Sequence, residues 1–282
     1  MHQVSWYHDA VGCEYDTNRE ETRLERDDPI ECAITLRYLR RYVPNAATVA
    51  DIGVGGGQYS EALARRDCLV HLADVSLHLL DVAAARIEAA GLGRQIASAR
   101  RASATDLSHL GEGCCDVVLL LGPLYHLITP EERDLAIAEA ARLLRPGGLA
   151  FAAGINRLTC LRDVLRSGPD DFVRRRDFFE QLWIDGNLTA PDGQPATMHV
   201  TDVAEFRADL GRVFDEVVLV GVEAFASKSE GRLPYMQASP ETRAAMLDII
   251  ERAGATPEGL GVTSHYLYIG RKSAPAPTEV VA

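Results

Sequence analysis

Three glycines at alternate positions, Gly53, Gly55 and Gly57, stand in the run Val49-Ala50-Asp51-Ile52-Gly53-Val54-Gly55-Gly56-Gly57. The run follows an apolar stretch and opens a helical one. Glycines at this spacing let the main chain turn tightly and approach a ligand where a Cβ would clash. The helix N-terminus beyond them favours a negative group. Alone, the pattern is shared by several nucleotide-binding folds and marks only a candidate cofactor site. Asp74 sharpens it. It closes the next apolar stretch, where a carboxylate can accept hydrogen bonds from both hydroxyls of a ribose. The plainer reading of Asp74 is a charge placed before the helix cap Ser76. Asp106, in Ser103-Ala104-Thr105-Asp106-Leu107, stands where a side chain would meet an adenine amino group, with Leu107 packed on the base. A turn or cap aspartate is the alternative there.

A second group follows the strongly apolar run at 117–121. Gly122-Pro123-Leu124-Tyr125-His126 presents an aromatic face suited to a cation and an imidazole that titrates near neutral pH. Tyr125 and His126 are therefore the candidate catalytic pair, with a structural, helix-capping histidine as the competing reading. Further along, Asn156, Arg157 and His199 are candidates for contacts to a second substrate. Each has an ordinary alternative: a helix cap, a solvated arginine and a structural histidine. Near the N-terminus stand Tyr7, Tyr15, Arg19 and Arg23, aromatic and basic side chains of which an arginine can pair with a carboxylate. His265, within the last apolar run, reads as packing.

These groups need elements to hold them. Asp28-Pro29-Ile30-Glu31 reads as a helix start, with Asp28 as cap, Pro29 at the first position and Glu31 completing a capping box. From Thr48 the pattern alternates between strands at 48–52, 69–73, 96–101, 116–121 and 149–153 and helices at 58–66, 76–90 and 129–144. Such alternation builds a parallel sheet with right-handed crossovers. A helix at 203–212, a strand at 214–221, a helix starting at Ser239-Pro240 and a strand at 262–270 follow. The spacing thus predicts an α/β fold: an N-terminal cap and helix over 1–45, a main domain over 46–273 with insertions at about 157–200 and 223–260, and a disordered tail at 274–282.

The bulk composition narrows the function classes. The chain has 282 residues, 47% of them hydrophobic, enough for one sizeable core. Its apolar run at 117–121 is broken by Gly122-Pro123, far short of the roughly 20 apolar residues of a spanning helix. The N-terminal residues are too acidic for a signal peptide. With 29 basic and 41 acidic residues the net charge is -12, which argues against a nucleic-acid partner. The one dense basic run, Arg174-Arg175-Arg176, reads as a solvated helix face. Six cysteines without a CxxC, and no histidine pair at metal-ligand spacing, fit reduced thiols in a cytoplasmic protein with no bound metal.

Together, Asp51 to Gly57, Asp74, Asp106, the run Asp116-Val117-Val118-Leu119-Leu120-Leu121 and the turn Leu144-Arg145-Pro146-Gly147-Gly148 resemble the class I S-adenosylmethionine-dependent methyltransferase family. The likeness covers residues 45–155 well and extends weakly to 270. The stretch from Leu119 to Leu127 is similar to its bacterial small-molecule branch, near the ubiquinone/menaquinone-type enzymes. Val54 departs from the usual Cys or Gly, and Gly56 from the usual Thr or Pro. The resemblance implies a Rossmann-like, doubly wound seven-stranded sheet, mostly parallel with an antiparallel last strand, plus an N-terminal helical cap and lid insertions. It implies S-adenosyl-L-methionine as methyl donor and S-adenosyl-L-homocysteine as product. The implied donor-binding residues are Asp51, Gly53, Gly55, Gly57, Asp74, Val75, Thr105, Asp106, Leu107 and Leu121, with Tyr15 and Arg23 from the cap. Tyr7, Tyr125, Asn156, Arg157 and His199 would face a small-molecule acceptor methylated at O, N or C. A mobile cover from 1–28 and 223–260 would close over both, in a monomer or homodimer. Two alternatives remain at this stage: an RNA- or protein-modifying methyltransferase, and a nicotinamide-dependent dehydrogenase using a similar glycine turn.

Overall fold

The computed structural model describes residues 20–167, 170–188 and 198–273. A seven-stranded sheet of order β3-β2-β1-β4-β5-β9-β8 forms its centre. The chain enters through a strap, a 3-10 turn Glu20–Thr22 running into a single helical turn Arg23–Arg26, and then helix α1 (Pro29–Tyr42). Next come β1 (Thr48–Ile52), α2 (Gln58–Ala64), β2 (Leu69–Asp74), α3 (Leu77–Ala89), β3 (Ile96–Arg101), β4 (Cys115–Leu120), α4 (Pro130–Leu143) and β5 (Leu144–Ile155). The first five strands run parallel. After α5 (Arg157–Ser167), a turn Asp171–Arg174 and α6 (Arg176–Asp185), β6 (Asn187–Leu188) and β7 (Met198–His199) form a small ribbon. Then follow α7 (Val203–Gly211), β8 (Asp215–Gly221), α8 (Lys228–Gln237), α9 (Pro240–Gly254), α10 (Pro257–Val262) and β9 (His265–Arg271). β9 is antiparallel to both β5 and β8, as the resemblance implied.

Period-two alternation splits the central strands between two cores. Val49, Val117, Leu119 and Phe151 face one layer with Ile34, Leu63 and Ile87 of α1, α2 and α3. Ala50, Ile52, Val118, Leu120 and Ala152 face the other with Ile137 of α4 and Leu210 of α7. Burial on both sides is why β1 and β4 read as continuous apolar runs. β3 lies at the sheet edge and is largely exposed, which accounts for its weak sequence signal.

Helix starts were legible from their caps. Ser76 accepts the Leu79 amide, and Thr129 with Glu132 forms a full capping box. Asp28 is an exception. It makes no side-chain cap bond, because Asp28 and Glu31 both accept hydrogen bonds from the Arg23 guanidinium. The strand expected at 262–270 begins only at His265, since Thr256 caps a helix over Pro257–Val262. Residues 223–260 pack in part into the main body. Leu247 and Ile250 of α9 and Ala224 and Ala226 before α8 are buried in the first core. Arg37 and Arg41 of α1 pair with Glu251 of α9. No helix among the described residues is long and apolar enough to cross a membrane.

Candidate active site

The parallel strands end along one edge of the sheet, and there the loops after β1, β2, β3 and β4 enclose a cavity of about 960 Å³ including its open mouth. Asp51, Gly53, Gly55, Asp74, Val75, Leu121, Tyr125, His126 and Arg23 all line it, so the structure brings together most of the expected donor and catalytic residues.

Each glycine has its own reason to be glycine. Gly53, Gly55 and Gly57 all have positive φ, +74°, +53° and +79°, which a side chain disfavours. A Cβ on Gly53 would lie 2.7 Å from the Pro123 ring, so the β1 and β4 loops touch there. A Cβ on Gly57 would lie 2.8 Å from Ala83, which sets the approach of α2 to α3. A Cβ on Gly55 would meet nothing within 4 Å, and Gly55 lines the cavity. Gly57 does not line it; its work is packing.

Asp74 ends β2, buried, with one carboxylate oxygen accepting the Gly55 amide at 3.1 Å and the other the Ser76 amide at 2.9 Å. Asp51 is also buried and accepts a hydrogen bond from the Ser60 hydroxyl at 2.7 Å. Burial, reinforced by the nearby Asp74 charge and opposed by the Ser60 hydroxyl, pushes the Asp51 carboxyl up to about 7. The two acids therefore differ in character on one wall.

The 3-10 turn Pro123–His126 carries Tyr125 and His126, their rings edge to face with centroids 4.7 Å apart. The Tyr125 hydroxyl donates to the Leu121 carbonyl at 3.4 Å, and burial raises the phenol above its ordinary value. Tyr125 thus stays protonated at neutral pH.

Several expected contacts are not assembled here. Asp106 is exposed, accepts the Ser108 amide, and does not line the cavity. Thr105 is held through its hydroxyl by Ser103, and Leu107 is fully buried in the second core with its amide on Glu139. The β3 loop contributes Ala102, Ser103 and Ala104 instead, because an internal bridge between Ser103 and Asp106 turns the chain outward. Arg23 lines the cavity, yet Glu20, Asp28 and Glu31 already hold its guanidinium.

The acceptor candidates beyond β5 also belong elsewhere. Asn156 is buried and donates to the carbonyls of Gly261 and Thr263, pinning the end of β5 to the loop before β9. Arg157 donates to the Trp183 carbonyl and to Glu205. His199 donates from Nδ1 to Asn187 and faces Glu205 at 3.6 Å. Burial opposes the Glu205 charge, but His199, Thr201 and Arg157 hold it down to about 2. His199 does line a smaller cavity that shares Tyr125 as a wall. Tyr7, Tyr15 and Arg19 lie outside the described residues.

Residues not anticipated also matter. Glu20, Leu24, Gln58, Tyr59 and Leu79 line the main cavity. His265, expected as packing, donates from Nδ1 to Glu223 at 2.5 Å and lies 3.5 Å from Glu31. Burial opposes its charge, but Glu31 and Glu223 lift it to about 9. Glu31, Glu223 and His265 are the one trio among the described residues whose ligand atoms lie within 4.8 Å of one another. They are engaged with each other and, through Glu31, with Arg23, as a buried ion-pair network. Nothing in the isolated sequence tied position 31 to 223 and 265. The described cysteines are free thiols.

Comparison with known proteins agrees with this geometry. Residues 49–148 match a family model described as a methyltransferase domain. The chain is similar to the ubiquinone biosynthesis O-methyltransferase of Caulobacter vibrioides, 37% identical over 127 residues, 45% of this chain and 48% of that protein. A protein of the same name from Agrobacterium fabrum is 37% identical over 126 residues, again 45% and 48% of the two chains. The chain thus spans about half the length of the curated relatives it matches. The solved structure of the N-methyltransferase NodS from Bradyrhizobium japonicum, in complex with S-adenosyl-L-homocysteine, superposes with a TM-score of 0.57 at 16% identity, covering 94% of this chain and 98% of that one. Residues 49–148 thus match a methyltransferase-domain model, and the chain shares the fold of the solved N-methyltransferase NodS.

Proposed function

We propose that this protein transfers a methyl group from S-adenosyl-L-methionine to O, N or C of a small metabolite or natural-product intermediate. The observation that carries the reading is the single cavity joining the glycine turn and Asp74 to Tyr125 and His126. Its walls suit the donor. Gly55 leaves open space, Asp74 offers a buried carboxylate for the ribose hydroxyls, and Ala102, Ser103 and Ala104 border the place for a base. The donor supplies an electrophilic carbon on a sulfonium.

The residues of this chain then have positioning work, which is most of what such a displacement needs. Asp74 and the glycine turn fix the nucleoside end. Asp51, at about 7, ionises readily beside a cationic amino group. Tyr125 presents a neutral aromatic face, favourable to a positive charge. His126 orients the acceptor and takes its proton where the nucleophile is a hydroxyl or an ammonium. Leu24 and Leu127 help exclude water.

The names of the Caulobacter and Agrobacterium relatives support an oxygen acceptor among the three. The net charge of -12 favours a small molecule over RNA. We take the protein to act in the cytoplasm, as a monomer or homodimer. Calorimetric titration with S-adenosyl-L-methionine and S-adenosyl-L-homocysteine, followed by an acceptor screen with labelled donor, tests the proposal. Absence of binding by both, or preference for a nicotinamide dinucleotide, overturns it.

A further inference from the structure

Gly56 differs from the other glycines of its loop. Its φ is not in the left-handed region, so its own backbone does not demand glycine. What excludes a side chain is the strap. A Cβ on Gly56 would stand 2.1 Å from the carbonyl oxygen of Glu21 and 2.8 Å from its carbonyl carbon. The same oxygen accepts a hydrogen bond from Gln58 Nε2 at 2.9 Å. The main chain of the strap therefore lies directly on the glycine turn, clamped between a missing side chain and an amide donor. Glu20, Arg23 and Leu24, beside this contact in the strap, line the cavity together with Asp74 and Val75.

The strap's other anchors differ in kind. Glu25 pairs with Arg86 of α3 at 2.7 Å, but the glutamate is about half exposed and the pair is open to screening. His78 approaches Glu21 at 3.5 Å, with its side chain half exposed. Arg23 reaches Asp28 and Glu31, which tie the strap to the start of α1 rather than to the glycine turn. The Gly56–Glu21–Gln58 contact joins the strap directly to the glycine turn.

We propose that Gly56 and Gln58 are positioning residues that seat the strap as the roof of the donor cavity, so that the absent side chain at 56 sets how tightly and how long the donor is held. The inference rests on the donor reading given above. A side chain at 56 must lift the strap on the order of an ångström to regain van der Waals contact, and displacements of that size in a binding wall have large functional effects.

The test uses the full chain and S-adenosyl-L-homocysteine as probe. Wild-type binding is measured first; if it fails, the donor reading itself has failed. With wild type binding, Gly56→Thr is expected to weaken affinity about tenfold or more, chiefly through faster release, with Gly56→Ala intermediate. The melting temperature of the unliganded variants falls, because main-chain atoms of the strap must move, and it is recorded to separate loss of fold from faster release. Trypsin cleavage at Arg23 and Arg26 in the presence of probe speeds up. With an accepted substrate, the donor KM rises while kcat changes by less than about threefold. Should Gly56→Thr not fold, Gln58→Ala removes the clamp from the other side and is expected to speed release and cleavage in the same way. A folded Gly56→Thr or Gln58→Ala variant with release and cleavage rates within about twofold of wild type overturns the proposal.

Discussion

One carboxylate oxygen of Asp74 accepts the main-chain amide of Gly55 at 3.1 Å, so the acid closing β2 braces the glycine turn that follows β1. Asp74 also lines the cavity. Replacing it by Asp74→Asn removes a charge-assisted acceptor worth about 1.5–3 kcal/mol. Donor affinity should fall by roughly tenfold to a hundredfold, with a smaller loss in melting temperature. Calorimetry beside thermal unfolding separates the two effects; a full loss of fold with no soluble protein would assign Asp74 to structure alone.

The glycines divide by what surrounds them. Gly55→Ala faces open space and meets only the left-handed backbone cost, about 1 kcal/mol. Gly53→Ala and Gly57→Ala add collisions with Pro123 and Ala83, so each should cost about 2–4 kcal/mol. Unfolding in urea should rank Gly55→Ala as the mildest in stability, while donor titration finds it severely impaired.

Asp51 carries a cost in the unliganded protein. Its folded pKa, about 7, lies above its unfolded value of 3.8. The native state therefore holds its proton longer than the unfolded chain, and stability falls as pH rises from about 4 through 7. Asp51→Asn should flatten that part of the curve and raise the melting temperature at pH 8, while weakening the donor. An unchanged slope between pH 4 and 7 would rule out this assignment.

His265 gives a second window. Its folded pKa, about 9, lies above the ordinary 6.5, so its contribution is fully present below 6.5 and is lost as pH rises through 9. Glu223 is held below its ordinary value despite burial, mainly by the His265 charge, so its share fades as pH falls below 4.5. His265→Gln should lower stability at pH 6.5 much more than at pH 9.5. A pH-independent loss would mean that shape, not charge, is what His265 supplies.

At the reaction centre, Tyr125→Phe should leave the pH profile of kcat in place, because the buried phenol never ionises in the working range. His126→Ala should lower kcat by about a hundredfold or more and remove the acidic limb if the acceptor gives up a proton to it. Saturation kinetics with the first accepted substrate decide this; an unaltered kcat in His126→Ala leaves His126 without a chemical role.

The sequence by itself determined the alternating sheet, the glycine turn and the acid at the end of β2. Each is local: period-two burial, positive φ and a cap residue leave their marks within a few positions. The same holds for Thr129 with Glu132 and for Ser76. Tertiary structure alone decided which polar side chains face the cavity. Asn156, Arg157 and His199 each make hydrogen bonds to atoms of other segments that their place in the chain does not reveal. Asp28 carries a cap signature but binds Arg23, and His265 reads as packing but meets Glu31 and Glu223. A buried charge finds its partner across the fold, at separations no spacing rule can reach. Gly56 is the same lesson in steric form, since the atom that forbids its side chain belongs to Glu21, on a strap the glycine motif does not contain.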